Sequence, residues 1–275
     1  MAAEQNNSSQ DVVQHYQQAD EDARLQTGWF HLEFERTREL ILRNLVPAPA
    51  VLLDVGGGPG LYAAWLASLG YEVHLIDPVP KHVEQARQRS IPQQRAIASV
   101  RLGDARKLEQ SDNSADAVLL LGPLYHLTEM EDRIICLKEA FRVLRIGGVV
   151  FAAAISRFAS LLDSLAHGFF DVPDFVPLLE RDLRDGQHRN TTGNPEYFTT
   201  AYFHRPEELA SELSAAGFHL QDVVGIEGPG WLARDFDRLW SDPGARERIL
   251  RCVRKVEHEP ALLGASPHIM AIGRK

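Results

Sequence analysis

The sequence predicts an α/β fold in which helices cover both faces of a doubly wound, mostly parallel sheet. From residue 51 onward, short apolar runs alternate with longer amphipathic segments of helical period. Residues 51–55 lead directly into glycines and then into a helical segment, so a tight turn joins the first strand to its helix. The run at residues 117–121 is apolar throughout, as is typical of a strand buried on both faces. These three observations indicate strand–helix–strand units and therefore parallel pairing.

The order of the expected elements follows from the same patterns. A helical segment at residues 12–45, as two helices or as one helix with a loose lead-in, ends before Pro47 and Pro49. The expected strands are residues 51–55, 72–76, 99–102, 114–121, 149–155, 218–226 and 268–272. The expected helices are residues 59–69, 79–90, 130–144, 158–167, 174–183 and 206–216, with a helical excursion to about residue 259. Residues 186–195 are polar and rich in turn formers, which predicts a loop.

Composition and charge limit the classes of function. The chain has 275 residues, of which 44% are hydrophobic and 24% charged, and its formal net charge is −9. This acidic balance disfavours nucleic acid as the main partner. No apolar run approaches the roughly 20 residues that a membrane span needs, and residues 1–10 contain no apolar signal-peptide core. The two cysteines lack metal-ligand spacing, and no local cluster of His and carboxylate residues points to a metal. We therefore expect a cytoplasmic protein without a metal that acts on a small molecule, and homo-oligomerisation stays open.

The glycine-rich turn at residues 56–60 predicts a ligand site. Glycines allow positive φ and a close approach of the backbone to a ligand, and the first N–H groups of the following helix favour an anionic group. The dinucleotide fingerprint G-x-G-x-x-G fails when it is read from Gly56, because its third glycine falls on Leu61. Read from Gly58, it passes through Gly60 to Ala63, a tolerated substitute. A nicotinamide dehydrogenase is therefore weakened by this spacing but stays open.

Asp54 favours one of the two cofactor classes, because it precedes the turn in the pattern D-V-G-G-G-P-G. This pattern resembles motif I of the class I S-adenosylmethionine-dependent methyltransferases. The resemblance continues in L-G-P-L-Y-H-L at the place of motif IV, which is similar to bacterial small-molecule methyltransferases, and in F-R-V-L-R-I-G-G-V-V-F before strand five. It covers about residues 54–156. It implies S-adenosyl-L-methionine as cofactor and a seven-stranded sheet whose last strand is antiparallel and lies between strands five and six.

Nine residues are predicted to bind the cofactor. They are Asp54, Gly56, Gly58, Gly60, Asp77, Asp104, Ala105, Leu121 and Gly122. Asp77 ends strand two about 20 residues after the turn, where a carboxylate accepts hydrogen bonds from both ribose hydroxyls of an adenosyl group. The alternative for Asp77 is a helix N-cap before Pro78. The resemblance implies that Asp104 and Ala105 face the adenine, and that the loop after strand four lies beside the sulfonium.

His126 and Tyr125 are the candidate catalytic residues, because their loop borders the predicted reaction centre. Methyl transfer mainly requires alignment and exclusion of water, whereas a hydroxyl acceptor also benefits from a base. A neutral imidazole can supply that base, and Tyr125 is expected to be a pocket wall. The alternative for His126 is a hydrogen bond that fixes the loop or holds the cofactor's methionine end.

Six further residues are predicted to contact the substrate: Tyr16, Trp29, His188, Arg189, Tyr197 and His204. The first two precede the sheet, where the resemblance implies a lid over the cofactor. The other four lie in a segment expected to cap the carboxyl ends of the strands, where caps carry specificity. Packing of the lid or the cap is the alternative for each of them.

The resulting organisation is a helical N-terminal lid at residues 1–46 and a cofactor-binding half at 47–156. A helical cap inserted after strand five follows at 157–205, and residues 206–275 complete the sheet. The predicted function is in-line methyl transfer to an N or O nucleophile of a small molecule. Three alternatives stay open: a methyltransferase for protein or RNA, a module that binds S-adenosylmethionine without turnover, and, as a residual hypothesis, a nicotinamide dehydrogenase.

Overall fold

A computed structural model describes residues 11–17, 21–25, 27–90 and 96–275. The strands are β1 (Val51–Val55), β2 (Glu72–Asp77), β3 (Ser99–Leu102), β4 (Ala115–Leu120), β5 (Leu144–Ile155), β6 (Gln187–His188), β7 (Ala201–Tyr202), β8 (His219–Gly225) and β9 (His268–Arg274). Seven of them form one sheet in the order β3-β2-β1-β4-β5-β9-β8, and β6 pairs with β7 separately. β9 is antiparallel to both β5 and β8. The predicted seven-stranded sheet with its antiparallel strand is thereby confirmed.

The helices flank this sheet. They are α1 (residues 11–17), α2 (Glu21–Arg24), α3 (Phe30–Asn44), α4 (Leu61–Ser68), α5 (Pro80–Ser90), α6 (Pro123–His126), α7 (Met130–Val143), α8 (Ala159–His167), α9 (Val176–Asp185), α10 (Pro206–Ala215), α11 (Phe236–Ser241), α12 (Pro243–Val256) and α13 (Pro260–Leu263). In the described part of the chain, no helix combines the length and the hydropathy needed to cross a bilayer.

Two apolar cores lie on opposite faces of the sheet, because successive side chains of a strand point to opposite sides. Leu52 packs with Ile41 of α3 and Leu66 of α4 in one core. Its neighbour Leu53 packs with Leu137 of α7 and with other residues in the second core. Both faces of β1 are therefore buried, and this packing fixes the position of its carboxyl end, where the glycine turn begins.

The structure differs from the predicted elements in three places near the cofactor half and the cap. Residues 122–127, expected as a loop, contain the short helix α6, which begins at Pro123, where the fixed φ of proline favours a first helical position. β5 begins at Leu144, earlier than expected, because Leu144 pairs with Ala115 across an irregularity in the ladder. The polar stretch at 186–195 contains β6, which pairs with β7.

Candidate active site

The carboxyl ends of the parallel strands enclose an inner cavity of about 210 Å³. The strand order reverses between β1 and β4, which is where open α/β sheets bind ligands. Eight of the nine predicted cofactor-binding residues line this inner cavity: Asp54, Gly56, Gly58, Asp77, Asp104, Ala105, Leu121 and Gly122. Helix α1 covers it, with Val12 and Tyr16 packed on Val79.

The glycine turn shapes one wall of the inner cavity. Gly56 and Gly58 have φ of +69° and +56°, a conformation that L side chains rarely adopt. A Cβ atom on Gly56 would lie 2.7 Å from Cγ of Pro123, so the turn and α6 are in direct contact. Gly60 lies behind the cavity, where its Cβ would meet that of Ala86 at 3.0 Å. Its role in the structure is to let α4 approach α5.

Asp54 is a buried carboxylate in the lining of the inner cavity. Its side chain accepts a hydrogen bond from the backbone of Ala63, and its Oδ2 atom has no hydrogen-bond partner among the described residues. Burial, followed by repulsion from Asp77, raises the pKa of Asp54 from 3.8 to about 7. A buried acceptor without a donor favours a ligand that supplies a cationic N–H group at this point.

Asp77 links the glycine turn to α5. Its Oδ2 accepts from the Gly58 N–H at 2.8 Å, and its Oδ1 accepts from the Val79 N–H at 2.8 Å and from His82 Nδ1 at 3.2 Å. The bond to Val79 closes a turn before α5, which begins at Pro80 and has Val79 at its N-cap position, so Asp77 is not the N-cap residue itself. The position of Asp77 in the cavity wall suits a ribose. His82, which the sequence reasoning missed, is buried, and its Nε2 has no partner among the described residues.

Asp104 lies at the far end of the inner cavity and is held by Arg106. The guanidinium donates to both carboxylate oxygens, at 2.6 Å for Nη2 to Oδ2, and also reaches Asp132. Burial opposes ionisation of Asp104, but Arg106 outweighs it and lowers the pKa. Because these bonds occupy most of the lone pairs of Asp104, the backbone at Ala105 is the better-placed polar group toward an adenine.

A second, outer cavity of about 790 Å³ lies beside the inner cavity. Of the 21 described residues that line it, ten carry Trp, Tyr or Phe rings. Trp29 and Phe30 come from the N-terminal segment, and Phe169, Tyr197 and Phe198 come from the segment after β5. Among the residues that the structure describes, four line both cavities and form their shared wall: Tyr16, Arg24, Tyr125 and His268. A group in one cavity can therefore meet a group in the other at this wall.

A family model described as a methyltransferase domain matches residues 53–152. A ubiquinone biosynthesis O-methyltransferase of Methylocella silvestris is 30% identical over 192 residues, which cover 68% of this chain and 66% of that protein. The protein of the same name from Xanthomonas axonopodis is 28% identical over 197 residues, 71% of this chain and 74% of its own. This chain belongs to the class I S-adenosylmethionine-dependent methyltransferases. The cofactor of this methyltransferase is S-adenosylmethionine, as predicted, and not a nicotinamide.

Solved structures agree with this methyltransferase in fold. An S-adenosylmethionine-dependent methyltransferase of Methanosarcina mazei superposes with a TM-score of 0.59 at 21% identity, covering 86% of this chain and 96% of that one. The [4+2]-cyclase SpnF superposes with a TM-score of 0.58 at 18% identity, covering 90% and 84%. Since a cyclase shares the fold, the reaction has to be argued from the site.

His126 of the methyltransferase is fixed on both ring nitrogens. Its Nδ1 lies 3.4 Å from the Thr200 carbonyl, which can only accept, so Nδ1 carries the proton. Its Nε2 lies 2.9 Å from the Tyr16 hydroxyl, which therefore donates to it. Burial lowers the pKa of His126 to about 4, so the ring is neutral. The lone pair that a base would use is occupied by Tyr16, and the geometry favours the predicted alternative in which His126 fixes its surroundings.

The bond between Tyr16 and His126 should hold helix α1 closed over the cofactor. Replacing Tyr16 by Phe removes one neutral hydrogen bond, worth about 0.5–1.5 kcal/mol, without changing the ring contacts. We expect S-adenosylhomocysteine to dissociate roughly two- to tenfold faster, as measured by stopped-flow tryptophan fluorescence. Tyr71→Phe is the matched control, because its hydroxyl donates to the Val46 carbonyl on the surface. Equal dissociation rates for wild type and Tyr16→Phe would contradict the role of this hydrogen bond in holding α1 closed.

The predicted substrate residues divide between the outer cavity and the surrounding structure. Trp29, Tyr197 and His188 line the outer cavity. His188 is buried, with Nδ1 2.9 Å from Asp182 and Nε2 2.7 Å from the Tyr197 carbonyl. These two contacts fix the ring and the loop that carries Tyr197.

Arg189 and His204 are not among the described residues that line either cavity. Arg189 donates to the carbonyl oxygens of His188 and Ala201 and to the side chain of Gln187. His204 is fully buried beside Glu212 at 3.3 Å. Both residues stabilise the cap from within, the alternative that the sequence had left open.

The sequence reasoning missed a buried acidic and basic cluster in the site. Glu33, Glu227 and His268 lie with one ligand atom each within 4.8 Å of one another. Arg24 donates to both oxygens of Glu33, at 2.7 and 3.2 Å. Because these residues come from α2, α3, the turn after β8 and the start of β9, no local sequence spacing signals the cluster.

Proposed function

We propose that this enzyme transfers a methyl group to a hydroxyl oxygen of a small, planar and largely apolar molecule bound in the outer cavity. The observation that carries the proposal is the shared wall, where Tyr16, Tyr125 and His268 border both cavities. A donor in the inner cavity and an acceptor in the outer cavity can meet only there. The enzyme's contribution is then mainly alignment and exclusion of water.

The inner cavity fits the cofactor along the strand ends. From β3 to β4 the lining residues run from Ala105 through Asp77 and Asp54 to Gly122, an order that suits adenine, ribose, the amino-acid portion and the sulfonium in turn. The unpartnered Oδ2 of Asp54 suits the ammonium group. When bound, S-adenosylmethionine supplies a methyl group, and its sulfur keeps the bonding electron pair as the acceptor oxygen forms the new O–C bond.

The outer cavity supports the choice of acceptor. Its volume of about 790 Å³ lies in the usual range for sites of small molecules. Ten aromatic rings in its lining favour a flat apolar body through stacking and edge-to-face contacts. The relatives from Methylocella and Xanthomonas carry the name O-methyltransferase, which supports oxygen as the accepting atom. A phenol is the simplest molecule that joins these properties.

A labelled-methyl assay tests the proposal. The enzyme is given methyl-labelled S-adenosylmethionine and, in parallel, simple phenols, catechols, the matching anilines, and protein and RNA fractions. Label should enter the phenols or catechols. Transfer only to the anilines would contradict the oxygen acceptor, and transfer only to the macromolecular fractions would contradict the small-molecule acceptor.

Ala159→Trp locates the acceptor in the same assay. Ala159 lines the outer cavity only, at the start of α8, so a larger side chain there fills that space without touching the cofactor. The variant should lose at least tenfold in transfer to the phenol, while calorimetry with S-adenosylhomocysteine gives an unchanged Kd. Ala215→Trp, on the exposed end of α10, is the matched control. Unimpaired transfer by Ala159→Trp would place the acceptor elsewhere.

A further inference from the structure

His268 opens the last strand at the edge of the sheet where both cavities lie. Because β9 runs antiparallel to β5, its first residue pairs with Ile155, the last residue of β5. The side chain of His268 lines the inner and the outer cavity. It is therefore a titratable group at the point where the proposed donor and acceptor meet.

The ring of His268 is held in one orientation by Glu227. Nδ1 lies 2.6 Å from Oε1 of Glu227, so Nδ1 carries the proton and donates it. Glu227 is fully buried, and its other oxygen accepts from the Ser266 hydroxyl at 2.8 Å and from the His268 backbone N–H at 3.1 Å. Nε2 of His268 is left with no hydrogen bond from the described residues, and its lone pair is available to a ligand.

The charges around His268 favour its protonated form. Glu33 on α3 lies 3.8 Å from Nδ1 of His268. Arg24 on α2 forms an ion pair with Glu33, and its positive charge opposes protonation of His268. Burial alone would lower the pKa of His268, but Glu33 and Glu227 outweigh burial and Arg24, and the net pKa is raised. A proton that arrives on Nε2 is therefore stabilised by two carboxylates.

We propose that His268 is the general base that removes the proton of the acceptor hydroxyl, and that Glu227 positions its ring. The inference rests on the proposed function, since it requires a hydroxyl in the outer cavity. The proton leaves the O–H bond for Nε2, the oxygen lone pair becomes free to form the O–C bond, and the imidazolium later releases its proton to solvent. This pairing resembles the base and orienting carboxylate of other enzymes that activate hydroxyl groups.

A metal ion held by Glu33, Glu227 and His268 is the competing interpretation. The acceptor atoms of the two carboxylates already receive donors from Arg24, Ser266 and His268 itself. A cation would have to displace those donors. Transfer activity that persists after dialysis against a chelator is expected if His268 is a base, and loss of activity that Mg²⁺ or Zn²⁺ restores would overturn the assignment.

The test uses 4-nitrophenol, whose ionised form absorbs visible light, bound to the complex of the enzyme with S-adenosylhomocysteine. In the wild type, His268 should take the phenol proton, so the bound probe ionises at a pH lower by about one unit than in His268→Asn. Asparagine places an amide nitrogen near the position of Nδ1 and retains the bond to Glu227, so a purely structural role is preserved. His219→Asn, at an exposed position, is the matched control.

Kinetics separate a base from a structural residue. With the phenol, transfer should rise with pH as His268 loses its proton, and His268→Asn should lose this limb and at least a hundredfold of kcat, in the range of general base catalysis. With the corresponding thiophenol, which is largely ionised without help, the loss should be much smaller. Equal losses for both acceptors, or unchanged ionisation of bound 4-nitrophenol, would overturn the role of His268. Failure of the wild-type complex to bind 4-nitrophenol at all would instead overturn the proposed acceptor class, and this inference with it.

Discussion

Replacing Asp54 by asparagine should stabilise the cofactor-free enzyme above neutral pH and weaken its binding of S-adenosylhomocysteine. The pKa of Asp54 is 3.8 ordinarily and about 7 in the folded protein. Between these values the folded protein holds a proton that the unfolded chain has lost, so the free energy of unfolding falls as pH rises from about 4 to 7. Asparagine carries no titratable carboxyl group, so in the variant this residue no longer makes the free energy of unfolding fall with pH. The variant should gain up to about 4 kcal/mol relative to wild type across that window.

Urea unfolding at a series of pH values measures the difference between variant and wild type. The variant has to be compared with the wild type at each pH, because His126 changes the free energy of unfolding with pH in the opposite direction to Asp54. Its pKa is lowered from 6.5 to about 4, so its contribution to stability rises with pH over that range. Asp116→Asn serves as a control of opposite sign, because Arg145 and the Val51 N–H stabilise its ionised form. A difference for Asp54→Asn that does not change with pH would contradict the proposed protonation.

The same substitution should reduce affinity, because the ionised Asp54 is the group proposed to face the cofactor's ammonium. A charged hydrogen bond contributes about 1.5–3 kcal/mol, so calorimetry should show at least a tenfold weaker Kd for S-adenosylhomocysteine. In the wild type, affinity should rise with pH toward 7 and then level. Asp54→Asn with unchanged Kd would place the ammonium elsewhere.

The second large effect is expected for Asp77→Ala. The substitution removes the acceptor of the Gly58 and Val79 N–H groups together with the proposed acceptor of the ribose hydroxyls. Lost charged hydrogen bonds of about 1.5–3 kcal/mol predict a ten- to hundredfold weaker Kd for S-adenosylhomocysteine. Calorimetry on protein with an unchanged circular dichroism spectrum measures it.

Asp242→Ala is the matched control for Asp77→Ala. Asp242 caps α12 through a 2.8 Å bond from the Ala245 N–H and is not among the residues that line either cavity, so Asp242→Ala reproduces the loss of a hydrogen bond at a helix start alone. Asp242→Ala should reduce stability and leave the Kd unchanged. If Asp77→Ala behaves in the same way, Asp77 holds the turn that leads into α5 and does not bind a ribose.

Local patterns carried the prediction of the cofactor half. The turn after β1 and the aspartate that ends β2 lie within about 25 residues of each other. The backbone needs positive φ at Gly56 and Gly58, which favours glycine there and produces a pattern that can be recognised in the sequence. The same pattern cannot say which glycine faces a ligand. Gly60 has the required backbone conformation, yet it packs against Ala86.

The rest of the site could not be predicted from local sequence patterns, because its residues are brought together by the topology of the sheet. His268 and Glu33 are separated by most of the chain and meet because β9 inserts between β5 and β8. In the cap, His188 ends β6 and His204 follows β7, and only the packing decides that His188 lines a cavity while His204 contacts Glu212. Residue type alone carried no signal for either outcome.

The shared wall between the cavities draws its residues unequally from the chain. Of Tyr16, Arg24, Tyr125 and His268, only Tyr125 falls within the stretch matched by the methyltransferase family model, residues 53–152. The other three come from segments before and after it. Substitutions in these flanking segments would change the wall between the cavities and leave the turn and the aspartates that we propose to bind the donor unchanged. We therefore expect relatives that share the proposed donor site to diverge in their acceptors.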